Sequence, residues 1–255
     1  MMTCSIQRLF LFTWIINKKM KVRVNRKDST YNIAYDANGD ILDYDQGSID
    51  DNWKQNDQNI RSVEFSKSEN ISIGTNAFNS CGLVGSLVIP GNITSIGNYS
   101  FYNCDGLNGT LTIQNGVQVI GSWSFNNCNN FNGSLKIPST VNIVGPRAFE
   151  NCSGFDGELI IEDGVKILRS ISFRSCTNLK GTLTIPQSVT LIENGCFRFC
   201  SSITRVEILA TTAPTIGTTN VFADMTSVSP AEIHVPIGSV GYLTEYNGLE
   251  VVYDL

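Results

Sequence analysis

Six cysteines carry the most regular chemistry in this chain. Cys81, Cys104, Cys128, Cys152, Cys176 and Cys200 each stand three residues after a phenylalanine, namely Phe78, Phe101, Phe125, Phe149, Phe173 and Phe197. Thiols serve as nucleophiles, metal ligands or disulfide partners, and eight cysteines in 255 residues invite all three readings. The spacing argues otherwise. Successive phenylalanines lie 23, 24, 24, 24 and 24 residues apart, so each repeat places a single thiol beside Phe and Leu on one inward beat. There a cysteine acts as a small hydrophobe. Rungs stacked about 4.8 Å apart do not forbid a disulfide by distance, but parallel side chains meet its dihedral requirement poorly. The expectation is a column of free buried thiols that binds no metal. Cys4 and Cys196 fall outside this column.

The remaining reactive residues form no constellation. The one histidine, His234, alternates with Ile233 and Val235 and reads as a capping residue. With one imidazole and no paired cysteines at zinc spacing, neither a Cys–His nucleophile nor a zinc site is supported. Glu158 and Glu162 flank one strand, as a solvated rim would. Asp36, Asp40, Asp43 and Asp45 surround Asn38-Gly39, but they lack the twelve-residue order and terminal Glu of a calcium loop. They read as a hairpin tip. No Gly-rich phosphate loop is present, because each Gly falls at a turn of the repeat. The chain is therefore expected to be no enzyme and to need no cofactor. A net charge of −5 argues against nucleic acid as a partner. No apolar run reaches the ~20 residues of a membrane span.

What positions the thiols is the repeat itself. Leu87-x-Ile89, Leu111-x-Ile113, Leu135-x-Ile137, Leu159-x-Ile161 and Leu183-x-Ile185 keep the same step. So do Ile73, Ile96, Ile120, Val144, Leu168, Ile192 and Ile216, mostly followed by Gly. A fixed period of this length is the mark of a solenoid. In a middle unit, Leu135 and Ile137 alternate with Ser134 and Lys136 as a strand with one buried face. Pro138, like Pro90 and Pro186, ends it. Val141 and Val144 lie on a second extended piece, and Ala148-Phe149 should open a helical or 3₁₀ turn in which Phe149 and Cys152 share a face. Phe155 closes the coil. None of these coils buries its roughly six apolar groups alone; stacking covers them.

The pattern Leu-x-Ile-Pro-x-x-Val-x-x-Ile-Gly-x-x-Ala-Phe-x-x-Cys-x-x-Leu resembles the BspA-type leucine-rich repeat and covers about two-thirds of the chain. Ala213-Pro-Thr-Ile-Gly, Ile233-His-Val-Pro-Ile-Gly-Ser-Val and Tyr242 resemble the way bacterial members finish. Arg169 and Glu193 depart from the usual Gly, Gln114 and Glu162 from Pro, and Met225 from Cys. The resemblance implies a leucine-rich-repeat solenoid, mostly β, at a microbial cell surface or secreted. It also implies attachment to host or neighbouring-cell proteins.

Four segments are expected. Residues 1–19 contain an apolar run before Asn17-Lys18-Lys19, a poor match to a secretory signal, and translation is expected to start at Met20. Residues 20–59 form a small β-hairpin and N-terminal cap, 60–227 the array, and 228–255 a C-terminal cap with a short helix over 239–246 and a final edge strand over 251–253. The outward positions of the strands are Ser86 and Val88, Thr110 and Thr112, Ser134 and Lys136, Glu158 and Ile160, Thr182 and Thr184, and Arg205 and Glu207. They form a candidate protein-binding face, with Lys136, Glu158, Arg205 and Glu207 as its polar contacts. Tyr99, Tyr102, Trp123 and Phe199 are expected on the turn side. The rival expectation is a structural module of a larger assembly, docked through residues 20–57.

Overall fold

The computed structural model describes residues 20–26, 30–35, 41–44, 60–65, 70–225, 227, 232–246 and 248–255. The apolar run within 1–19, the expected hairpin tip at 36–40 and the polar stretch 45–59 lie outside them.

Four strands, β1 (Met20–Arg26), β2 (Thr30–Tyr35), β3 (Ile41–Tyr44) and β4 (Ile60–Phe65), form an antiparallel sheet in the order β3-β2-β1-β4. β2 and β3 pair antiparallel.

The chain then winds into coils. One face is built from β6 (Leu87–Ile89), β8 (Leu111–Ile113), β10 (Leu135–Ile137), β12 (Leu159–Ile161), β14 (Gly181–Ile185) and β16 (Ile203–Ile208). The second is a seven-stranded parallel sheet of β5 (Ile71–Ile73), β7 (Ile93–Ile96), β9 (Val119–Ile120), β11 (Ile143–Val144), β13 (Ile167–Leu168), β15 (Leu191–Ile192) and β17 (Thr215–Ile216). The first face continues through β18 (Glu232–Val235) and β20 (Leu249–Tyr253) to the edge strand β19 (Glu245–Tyr246).

Proline explains where the first face weakens. The N–H of Gln114 bonds to Ile89 O at 2.9 Å, and that of Glu162 bonds to Ile137 O at 3.0 Å. At the same place in alternate coils stand Pro138 and Pro186, which have no N–H to give. The ladder accordingly breaks between β8 and β10, and β12 pairs with β14 only at Ile160 and Thr184.

The third side of each coil is not helical, and no helix occurs among the described residues. It is a run of tight turns in which alternate N–H groups point two ways. Those of Ala148, Glu150 and Cys152 bond three residues back within the coil, at 3.2, 3.3 and 3.2 Å. Those of Arg147, Phe149 and Asn151 bond to Ser170, Ser172 and Arg174 of the next coil, at 3.0, 2.8 and 2.9 Å. Arg147 and Asn151 have φ of 56° and 63°, so the chain turns left-handed at every fourth residue and an α-helix cannot propagate. Phe149 and Cys152 still share a face, because a β-turn and a helical turn both bring residues three apart together. The C-terminal cap also lacks the expected helix: residues 239–246 hold an isolated bridge and β19, and β20 is covered by β19 rather than lying at the edge.

The core is the repeat seen end-on. Phe78, Phe101, Phe125, Phe149, Phe173 and Phe197 are buried and stacked, with centroids 5.1–5.6 Å apart and planes within 14°. Phe222 extends the column by a seventh ring at 5.7 Å. Phe65 meets Phe78 edge-on at its other end. Phe131 and Phe155 form a shorter parallel stack. Met225 takes the next thiol position and is buried.

Candidate binding surface

The strand face places its outward side chains in two columns. Val88 lies beside Thr112 in the first ladder, and beyond the break Lys136, Ile160, Thr184 and Glu207 stand in register in the second. Thr182 lies beside Arg205 in the second column, whose earlier members are Ser86, Thr110, Ser134 and Glu158. From Ser86 to Ile160 these side chains are exposed, whereas Thr182, Thr184, Arg205 and Glu207 are half-buried. The face runs further than the repeat alone indicated. Glu207 is in register with His234, and His234 with Val252.

Several of these residues already have partners within the chain. The Ser86 hydroxyl accepts the N–H of Thr110, and that of Ser134 accepts the N–H of Glu158, each at 3.0 Å. These serines complete the inter-coil ladder. Lys136 bonds to Glu162 at 2.6 Å, and that bond, with the Ser139 N–H, holds the Glu162 carboxyl below its usual range. Arg205 is paired with Glu207 at 2.6 Å on its own strand. Of the four expected polar contacts, Glu158 alone has no side-chain ion pair among the described residues. Val88 and Ile160 are its exposed apolar groups.

His234 is buried, with Nδ1 2.9 Å from the Asp254 carboxylate and Nε2 3.7 Å from Glu232. A carboxylate only accepts, so Nδ1 carries the proton. This pair closes the cap. Glu232, Glu245 and Glu250 line an open polar hollow beside it. Among the described residues no group of three His, Cys, Asp or Glu is placed to hold a metal ion.

The thiols point into the core. Cys104, Cys128, Cys152, Cys176 and Cys200 donate to the carbonyls of Phe78, Phe101, Phe125, Phe149 and Phe173, at 3.0–3.2 Å. Burial raises every one of these thiols, Cys200 to about 12. A protonated, enclosed thiol is a poor nucleophile.

The turn face carries a second pattern. Tyr99 stacks on Trp123 (5.7 Å, 14°), Tyr102 stands edge-on to both, and the Arg147 guanidinium lies 4.6 Å over Trp123. Arg174 and Arg198 flank Phe199 at 5.7 and 4.5 Å. Beneath them the Glu150 carboxylate is buried, holding Arg147 at 2.9 Å, Asn126 at 2.9 Å and Arg174 at 3.5 Å. Tyr99, Tyr102, Trp123 and Phe199 lie on the turn side as the sequence indicated; nothing in it marked Arg147 or Glu150 as part of this surface.

Six copies of the BspA type leucine rich repeat region match the chain across residues 47–180 and 155–243. The chain belongs to the BspA-type leucine-rich repeat family. The family pattern accounts for the Phe-x-x-Cys column, the two parallel sheets and the glycines after Ile96, Ile120 and Val144. Leucine-rich-repeat solenoids of this kind are generally non-catalytic and commonly bind proteins. Nothing matches the chain among curated proteins. A crystal structure of a leucine rich cell surface protein from Faecalibacterium prausnitzii A2-165 is similar over 88% of the chain, with 24% identity and a TM-score of 0.42. The chain spans 57% of that protein's length. No helix among the described residues is long and apolar enough to cross a membrane.

Proposed function

We propose that this protein is a non-catalytic binding protein that offers its solenoid to a protein partner, at a cell surface or secreted. Attachment to host or neighbouring cells is the role that suits the BspA-type family. The observation that carries the reading is the strand face itself. Side chains from successive coils stand in register from Val88 to Thr112 and again from Lys136 to Glu207, on a backbone fixed by inter-coil hydrogen bonds. A face whose geometry is set before contact loses little conformational freedom on binding. Its contacts are Ser86, Val88, Thr110, Thr112, Ser134, Lys136, Glu158, Ile160, Thr182, Thr184, Arg205 and Glu207, with Val88 and Ile160 as apolar anchors.

The test is a pull-down against host matrix proteins, repeated with Lys136, Glu158, Arg205 and Glu207 all changed to alanine. Loss of a captured protein with the fold intact assigns the face; capture unchanged clears it of the role. Protease treatment of intact cells tests the location: cleavage supports surface display, and a protected cytosolic protein favours docking within a larger assembly.

A further inference from the structure

The turn face carries a cationic, aromatic strip whose chemistry differs from that of the strand face. The column two residues before each core phenylalanine is left-handed in every coil from Asn76 to Asn220. Asn76, Gly195 and Asn220 suit that conformation, because Asn and Gly enter it at little cost. Tyr99, Trp123, Arg147 and Ile171 occupy the same column at φ of 55°, 59°, 56° and 64°. A large side chain there costs about 1–2 kcal/mol each. Bulky residues held in such backbone are candidates for a functional role. Of these, Tyr99, Trp123 and Arg147 stack on one another along the outside.

The charges beneath the strip do not balance. Arg147 and Arg174, each about one-third exposed, share the single carboxylate of Glu150. Arg198 has its own partner in Asp224, and Arg169 has Glu193. The trio is therefore left one positive charge in excess. Arg174 is the less satisfied member, standing 3.5 Å from Glu150 with a buried Nε that has no acceptor. Arg147 donates to both Glu150 oxygens, which fixes its guanidinium over Trp123. The strip thus combines Tyr, Trp and Arg, the residues that dominate protein interfaces, with an unneutralised guanidinium suited to a carboxylate.

We propose that Tyr99, Trp123, Arg147, Arg174 and Phe199 form a second interaction surface, which docks a protein segment bearing a carboxylate side chain flanked by apolar residues. The carboxylate completes the Arg147–Glu150–Arg174 trio, and the rings of Trp123 and Phe199 pack on either side. This surface is separate from the strand face and does not depend on it.

The test is calorimetric titration of the full chain with a synthetic peptide of alternating glutamate and tyrosine, beside the same peptide with glutamine replacing glutamate. The glutamine peptide should bind at least tenfold more weakly, as should the glutamate peptide on Arg147→Ala or Arg174→Ala chains; tenfold is the scale of one charge-assisted hydrogen bond. Glu150→Gln, which removes the competing internal charge, should tighten binding. Arg169→Ala and the fourfold strand-face variant should leave it unchanged, so this surface and the strand face can fail separately. Equal binding of the two peptides overturns the proposal, and the comparison needs no variant to fold. So does a heparin hexasaccharide that binds where the glutamate peptide does not, which would make the strip an anionic-glycan site.

Discussion

The thiol of Cys152 donates to the carbonyl of Phe125, 27 residues earlier, at 3.0 Å. That bond ties one coil to the coil before it, and the same relation recurs from Cys104 to Cys200. The cysteine is therefore more than a space-filler of the right size. It gives a hydrogen bond to the residue whose ring the next phenylalanine covers.

Enclosure should make these thiols silent. The seven described cysteines are all buried and free, so a thiol reagent such as Ellman's should leave them unmodified in the native protein and titrate them fully in denaturant. Rapid modification of even one column thiol under native conditions would mean that the coils open there.

Burial also sets a pH dependence. In the unfolded chain a thiol ionises near pH 8.5, whereas Cys200 in the fold is raised to about 12 by burial. The folded state then holds protons that the unfolded state gives up. Stability is complete below about pH 8.5 and declines as pH climbs toward 12, by up to about 1.4 kcal/mol per pH unit for each such thiol. Tyr242, also raised to about 12 by burial, acts in the same direction. A melting temperature that is level from pH 7 to 8 and falls steadily from 9 to 11 is expected; a level profile throughout would contradict it.

The phenylalanine column should bear much of the stability. Phe149 is buried between two stacked rings at 5.2 and 5.6 Å. Phe149→Ala removes both stacks and leaves a cavity, for a loss of about 3–5 kcal/mol in denaturant titration. The exposed Tyr99, changed to Ala, should cost only about 0.5–1.5 kcal/mol, the worth of its surface stacking on Trp123, since Ala keeps a Cβ and with it the left-handed strain.

Two glycines should fail in different ways. A Cβ on Gly121 would lie 2.7 Å from the Gly97 carbonyl carbon, backbone that cannot yield without parting the coils. Gly121→Ala should cost about 2–3 kcal/mol. Gly85 has φ +81° and open space around its Cβ position, so Gly85→Ala should cost only the backbone strain, about 1 kcal/mol. Equal losses at the two sites would refute the close-approach reading.

How much of this was legible depends on distance along the chain. The coil was readable because one contact type recurs at one step, and Phe78 to Phe197 mark it without ambiguity. The turn was not, since Phe149 and Cys152 stand three apart in a helix and in a β-turn alike. Only the left-handed φ of Trp123, Arg147 and Ile171 separates the two, and no residue preference announces it where Asn or Gly is absent. On the strand face, outward positions followed from alternation, but the internal pairing of Lys136 with Glu162 joins adjacent coils and is invisible to a period of two. Ser86 and Ser134 looked like solvated surface, yet each closes a gap in the ladder.

Both proposed surfaces require the coils to stack on one axis, and native-state hydrogen exchange tests that most directly. The amides of Phe101, Phe125, Phe149 and Phe173 bond to Ser124, Ala148, Ser172 and Cys196 of the following coils, at 2.7–2.9 Å. They should exchange slowest and together, at the rate of global unfolding. Exchange of these four amides as fast as the exposed Gly238, or at four unrelated rates, would contradict the solenoid and both surfaces built on it.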